Sequence, residues 1–366
     1  MRKHTEETSS APFRRRLATF LAVAATALTA SACGTSGASS PSGTNGSAAT
    51  PSPVTVRLGY LTNLTNASAL VGVADGTFVK NLPANVTLET STYNAGPAEV
   101  TAMLAGSLDV AFMGPNSAIT AYTQGQKSIR IISGATSGGA ALVVAPSITS
   151  PKQLKGKTIA TPQLGNTQDV ALRTWLTKQH LTFPGPEGGG GDVTILPEDN
   201  ATTLASLTSG AISGAWVPEP WATRLVAEGG GHILVNEASQ WPNGRFATTL
   251  LVVTTDFLNA HPTVVTDLLK GQIATTKELN TSPVKAQATA NAQLLAVTGK
   301  ALKGSVLSTA WTDMVFTNDP IATSIVADVS HAKAAGFPTT NISGIFDLAP
   351  LNSVLTSQGQ ARVGGA

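Results

Sequence analysis

The chain contains a single cysteine in 366 residues. An intrachain disulfide is excluded, and a cysteine-based metal site with it. Histidine is also scarce. Beyond the N-terminal segment it occurs at His180, His232, His261 and His331, none paired with another at metal-ligand spacing. No metal and no cofactor are expected. Charged residues make up only 12% of the chain and the net charge is +2. So weakly charged a body lacks the basic footprint that nucleic-acid binding requires. There is no G-x-S-x-G nucleophile elbow. Gly156-Lys157-Thr158 is not a P-loop, because Pro151 stands where that motif needs its first glycine and the tripeptide opens a strand rather than a helix. With neither nucleophile nor metal pattern, an enzyme is not expected.

The N-terminus is richer. Arg14-Arg15-Arg16 precedes a small and apolar run, Leu17 to Ala32, followed by Cys33. A basic region, an apolar region and a small-residue cleavage site read as an export signal over residues 1–32. The run is shorter than the roughly 20 residues of a comfortable membrane span. An anchor helix is the competing reading, and Arg14-Arg15 also fits a weak twin-arginine signal. Ala30-Ser31-Ala32-Cys33 resembles the lipobox of bacterial lipoproteins, with Ala30 where leucine is usual. That resemblance implies a lipidated Cys33. Residues 33–53 then carry no charge and no large apolar side chain. They cannot build a core and read as a flexible tether. A lipid at Cys33 would hold the body at the outer face of the cytoplasmic membrane.

The body alternates strand and helix patterns. Val54–Tyr60, Val86–Thr92 and Leu108–Met113 read as strands. Helices are predicted over Ser68–Asp75, Pro97–Leu104 with Gly106 as its cap, and Ser117–Tyr122. Leu154–Pro162 reads as a strand and Gly165–Leu176 as the opening of a helix capped by Asn166 or Thr167. The pattern predicts an α/β fold with mostly parallel sheets. The stretch Leu104–Ala118 recurs in form at Thr208–Ala222, with Gly106 matching Gly210, Ala111 matching Ala215 and Phe112 matching Trp216. Two similar lobes are expected. Their bounds are placed at 54–145 for the first, 146–249 for the second, and 250–366 for a return to the first with C-terminal helices.

Several uncharged, hydroxyl- and amide-rich turns fall at predicted strand ends. They are Thr62-Asn63 with Thr65-Asn66, then Gly114 with Asn116 and Ser117, Ser137-Gly138-Gly139, and Asn166-Thr167-Gln168. Singly, each turn is explained by helix capping. Together they suit a small anion held by backbone N–H groups and helix N-termini. The turn GAWVPEPWATRL, Gly214 to Leu225, adds Glu219 and Trp221. Glu219 either complements a helix that Pro220 begins or faces the cleft. In the cleft it would suit an ammonium-bearing ligand or need a partner such as Arg245. Trp221 would wall an alkyl chain, and Trp216 reads as core.

LGYLTNLTNASALVG (58–72), AGSLDVAFMGPNSAI (105–119), GKTIATPQLGNTQDVALR (156–173) and GAWVPEPWATRLVAEGG (214–230) carry a resemblance. The chain resembles substrate-binding proteins of ABC importers of the aliphatic sulfonate, nitrate and taurine type. The resemblance implies a two-lobed periplasmic-binding-protein fold (type II-like) that closes on a small anionic or zwitterionic ligand and delivers it to a membrane permease. An alkanesulfonate or taurine-like ligand is implied first, with nitrate, bicarbonate or an aromatic carboxylate as alternatives. A monomer is expected. The family's Thr-His-Ala-Pro is replaced here by Thr65-Asn66-Ala67-Ser68, and its Gly-Pro-Asn-Pro by Gly114-Pro115-Asn116-Ser117. Catalytic relatives on this fold are a further alternative. The desulfinase type needs a nucleophilic cysteine, and the one here lies in the lipobox. A sensor or adhesin lipoprotein using the same cleft is the other.

Overall fold

Apolar residues on β3 (Val110–Met113) divide by parity between two cores, and this sets the layering. Val110 and Phe112 pack with one helix layer, Ala111 and Met113 with another. A strand buried on both faces reads as a continuous apolar run, which is why the sequence marks it so clearly. The computed structural model describes residues 52–365. The expected export signal, Cys33 and nearly all of the expected tether lie outside the described residues.

A six-stranded sheet has the order β11-β4-β10-β3-β1-β2. Its strands are β1 (Val54–Leu61), β2 (Val86–Tyr93), β3, β4 (Ile129–Gly138), β10 (Ala247–Thr254) and β11 (Met314–Phe316). A five-stranded sheet has the order β7-β6-β8-β5-β9. It holds β5 (Ala140–Val144), β6 (Lys157–Thr161), β7 (Val193–Pro197), β8 (Gly214–Pro218) and β9 (His232–Asn236). The helices are α1 (Ala67–Ala74), α2 (Thr77–Asn81), α3 (Gly96–Leu104), α4 (Pro115–Gln124), α5 (Thr167–Lys178), α6 (Asn200–Ser209) and α7 (Trp221–Ala227). They continue as α8 (Thr255–Ala260), α9 (Pro262–Thr281), α10 (Pro283–Thr298), α11 (Gly304–Thr312), α12 (Ala322–Ala334) and α13 (Ala349–Ser357). None of the described helices is long and apolar enough to cross a membrane.

The internal repeat has a structural counterpart. β3 lies between parallel β1 and antiparallel β10, and β8 lies between parallel β6 and antiparallel β5. Both sheets are therefore mixed, which corrects the expectation of mostly parallel sheets. Their antiparallel members include the strands that follow the two crossings between sheets. The first crossing is at Gly138-Gly139, where both residues have left-handed φ, +79° and +75°. Two such residues in succession are inexpensive only for glycine. The chain returns between β9 and β10. Ala140–Val144, expected in the first lobe, is instead an interior strand of the second sheet, because it pairs with β8 and β9. The C-terminal region is mainly helical as expected, but β11 interrupts it. That strand is too short to show a period.

Candidate functional site

Four helices begin at one small cavity. Asn66 ends the short 3₁₀ turn (Leu64–Asn66) that starts after Asn63 and runs into α1, Gly96 is the first residue of α3, Gly114 the cap of α4 and Asn166 the cap of α5. All four line a cavity of about 20 Å³. No charged side chain lines it; the remaining wall is made by Thr65, Ser117, Thr167, Gln168, Thr248 and Thr249 with Asn63, Leu61 and Pro218. A helix N-terminus presents free N–H groups and about half a positive charge. Four converging ends make a positive field without a lysine or arginine.

Local chemistry fixes each wall. Asn66 Oδ1 accepts the Leu61 N–H at 3.1 Å, tying the β1–α1 loop to the strand it leaves. Thr136 Oγ1 donates to the Thr65 carbonyl at 2.7 Å. Pro115 occupies the first turn of α4, where its missing N–H costs nothing. Asn166 Oδ1 accepts the Asp169 N–H at 2.9 Å, an N-cap bond. Asp169 in turn accepts from Gly165 N–H, Thr161 Oγ1 and Arg173 Nε. The Asp169–Arg173 pair is buried, at 2.9 Å. It anchors the first turn of α5 from behind. Thr167 lines this cavity, and its Oγ1 is buried without a hydrogen-bond partner.

Of the residues anticipated from sequence, Asn63, Thr65, Asn66, Gly114, Ser117, Asn166, Thr167 and Gln168 are thus brought together. Asn116 is buried but does not line the cavity. Ser137, Gly138 and Gly139 lie in the crossing, not in the wall. The Gly138 carbonyl accepts from Thr248 Oγ1 at 2.5 Å, and the Gly139 carbonyl accepts the Glu219 N–H at 2.8 Å. Thr62 and Trp221 line a separate groove of about 700 Å³.

Glu219 takes the first of its two expected roles, complementing the helix, and not the cleft-facing one. It lines neither the cavity nor the groove. Its carboxyl is buried and accepts the Thr223 N–H at 3.1 Å and Thr223 Oγ1 at 3.0 Å. It therefore serves the start of α7, which opens at Trp221 with Pro220 as its cap, not as its first residue. Arg245 is not its partner; Arg245 pairs with Asp319 at 3.0 Å. Burial, with Asp313 alongside, pushes the Glu219 carboxyl up to about 7 against the pull of Thr223. Trp216 is fully buried in the core, its Nε1 donating to Glu237 at 2.7 Å.

Gly96, Thr248 and Thr249 are wall residues that sequence reasoning misses. Gly96-Pro97 carries the same helix-start signal as Gly114-Pro115 and is recoverable by that analogy. Thr248 and Thr249 have no local signal.

Asn63 belongs to both the cavity and the groove. Its Oδ1 accepts Trp221 Nε1–H at 3.1 Å, bridging the two lobes. A second bridge runs from Leu64 N–H to the Glu219 carbonyl, at 3.1 Å.

Comparison with known proteins gives a consistent picture. The taurine-binding periplasmic protein of Escherichia coli K12 is 28% identical over 224 residues, covering 60% of this chain and 65% of that protein. The chain thus matches just under two thirds of that relative's length. The alkanesulfonate-binding protein SsuA of Xanthomonas axonopodis pv. citri superposes with a TM-score of 0.63 at 19% identity, covering 78% of this chain and 93% of that one. The nitrate-binding protein NrtA of Synechocystis PCC 6803 gives 0.66 at 14% identity, covering 83% and 89%. The fold is therefore the two-lobed α/β fold of periplasmic binding proteins. The model of the NMT1-like family matches residues 49–296, more than half of the chain, and the chain belongs to that family.

Proposed function

We propose that this chain is the extracytoplasmic solute-binding component of an ABC import system, taking a small sulfonate of the alkanesulfonate or taurine type and delivering it to a permease. The observation that carries this reading is the convergence of four helix N-termini on one uncharged cavity, with Thr167 Oγ1 unpartnered in its wall. Such a site rewards oxygens that only accept hydrogen bonds. The names of the relatives support the same class of ligand. A cavity of about 20 Å³ has room for little more than one water. An oxyanion therefore enters as the lobes part, by movement at the crossing at Gly138-Gly139 and the return between β9 and β10. The small volume also favours a second reading, a planar four-atom oxyanion such as nitrate. No catalytic step is proposed. Export, a lipid anchor at Cys33, a monomeric state and lobe bounds near the two crossings belong to the same proposal.

The test is a thermal-shift panel of alkanesulfonates, taurine, nitrate, bicarbonate and aromatic carboxylates on the purified protein. A true ligand at about 100 times its Kd adds about 2.7 kcal/mol of stability. A melting point unmoved by every anion in the panel refutes the anion-import reading. A shift with nitrate alone selects the second.

A further inference from the structure

We propose that the groove beside the cavity holds the ligand's organic tail, and that this chain selects sulfonates bearing a flat ring over taurine-sized ones. The inference rests on the sulfonate reading above. The cavity, at about 20 Å³, leaves no room for a tail even when it opens for a headgroup, whereas the adjoining groove is about 700 Å³. That lies within the roughly 300–1,000 Å³ of sites that enclose drug-sized molecules. Asn63 borders both spaces, so a ligand with its head at the helix ends sends its tail past Asn63.

The first surface the tail meets is Trp221. Its indole is half-buried and pinned by the Nε1–H bond to Asn63. The Arg224 guanidinium lies 4.5 Å from the ring centroid and is itself held by Glu228 at 3.0 Å. The Arg224 and Glu228 contacts lie within one lobe, so the indole is held before the ligand arrives, and the Asn63 bond forms as the lobes close; little side-chain freedom is lost on binding. Leu294 and Leu302 add apolar wall. An aryl tail gains offset stacking and apolar burial there.

An ammonium tail gains little. Glu228 is already shared by Arg224 and by Lys303, the latter at 3.4 Å. With Lys300, the cations of the groove outnumber its acids, Glu228 and Asp199. Glu219, the other carboxylate of this turn, faces away.

Titration calorimetry of the purified protein with methanesulfonate, taurine and naphthalenesulfonate tests this. Naphthalenesulfonate is expected to bind about tenfold tighter than methanesulfonate or more, through stacking and apolar burial. Trp221→Ala should bring that ratio close to one. Trp221→Phe keeps a ring but loses the bond to Asn63, and should retain most of the ratio. Equal or tighter binding of taurine or methanesulfonate overturns the inference while leaving the sulfonate reading intact, as does an unchanged ratio in Trp221→Ala. Binding of nitrate with no sulfonate bound overturns both.

Discussion

Gly114 and Thr167 meet across the seam between the lobes: a Cβ at Gly114 would overlap Thr167 Oγ1. Gly114 has φ −71° and ψ 156°, values open to any residue. Its lack of a side chain is thus required by this close approach and not by backbone conformation. Gly114→Ala should leave the fold of each lobe intact and hold the seam apart. Affinity for the oxyanion is expected to fall about tenfold, a cost of roughly 1.4 kcal/mol. The ligand-free melting point should move little. Calorimetry paired with small-angle scattering checks both parts, and an unchanged affinity would show that closure does not bring these residues together.

Thr167 itself separates stability from binding. Its hydroxyl is buried and unpartnered, a state that costs about 1–3 kcal/mol for a polar group. Thr167→Val preserves the shape and removes the hydroxyl. The variant should be as stable as the parent or more so, and should bind its anion more weakly. Urea denaturation and ligand titration on the same preparation decide it. Lost stability with full binding would reverse the assignment.

The sequence is legible where structure is made locally. Gly114-Pro115 and Asn166-Thr167 announce helix starts through capping chemistry, and both stand in the cavity wall. Gly96-Pro97 announces another by the same code. Thr248 and Thr249 are silent, because they arrive through the pairing of β10 between β3 and β4, a non-local contact. Glu219 shows the limit from the other side. Its neighbours Pro220 and Trp221 mark a helix start correctly, yet Thr223 and Asp313 decide where the carboxyl points. Ala140–Val144 is an apolar run that suits either lobe, and only its pairing with β8 and β9, a non-local contact, assigns it to the second sheet.

Arg173 should be the costliest single loss behind the site. It pairs with Asp169 at 2.9 Å with both side chains buried, donates to the Pro184 carbonyl at 2.6 Å, and lies over the rings of Phe183 and Phe337. Arg173→Met leaves Asp169 buried without its cation, a change that typically costs about 3–5 kcal/mol. Double replacement, Asp169→Asn with Arg173→Met, should recover part of that loss. A single variant within about 1 kcal/mol of the parent by denaturant unfolding would contradict this, since a broken buried pair is expected to cost more.

The pH dependence of stability follows from Glu219. Burial raises its carboxyl from 4.5 to about 7, with Asp313 adding to the rise and the Thr223 donors opposing it. The folded protein therefore keeps a proton that the unfolded chain has released. Where the native state binds more protons, stability falls as pH rises. The contribution is fully present below 4.5 and is lost as pH climbs through about 7. Glu237, pushed up to about 7 chiefly by burial, acts in the same direction. For Glu219 alone the change is on the order of 3 kcal/mol. The melting temperature should decline between roughly pH 5 and 8, in the window these raised carboxyls define. Glu219→Gln keeps an oxygen for the Thr223 N–H and carries no charge, so its profile should be flatter over that window. An identical slope in the variant would place the titration elsewhere, with Glu237→Gln as the next substitution to measure.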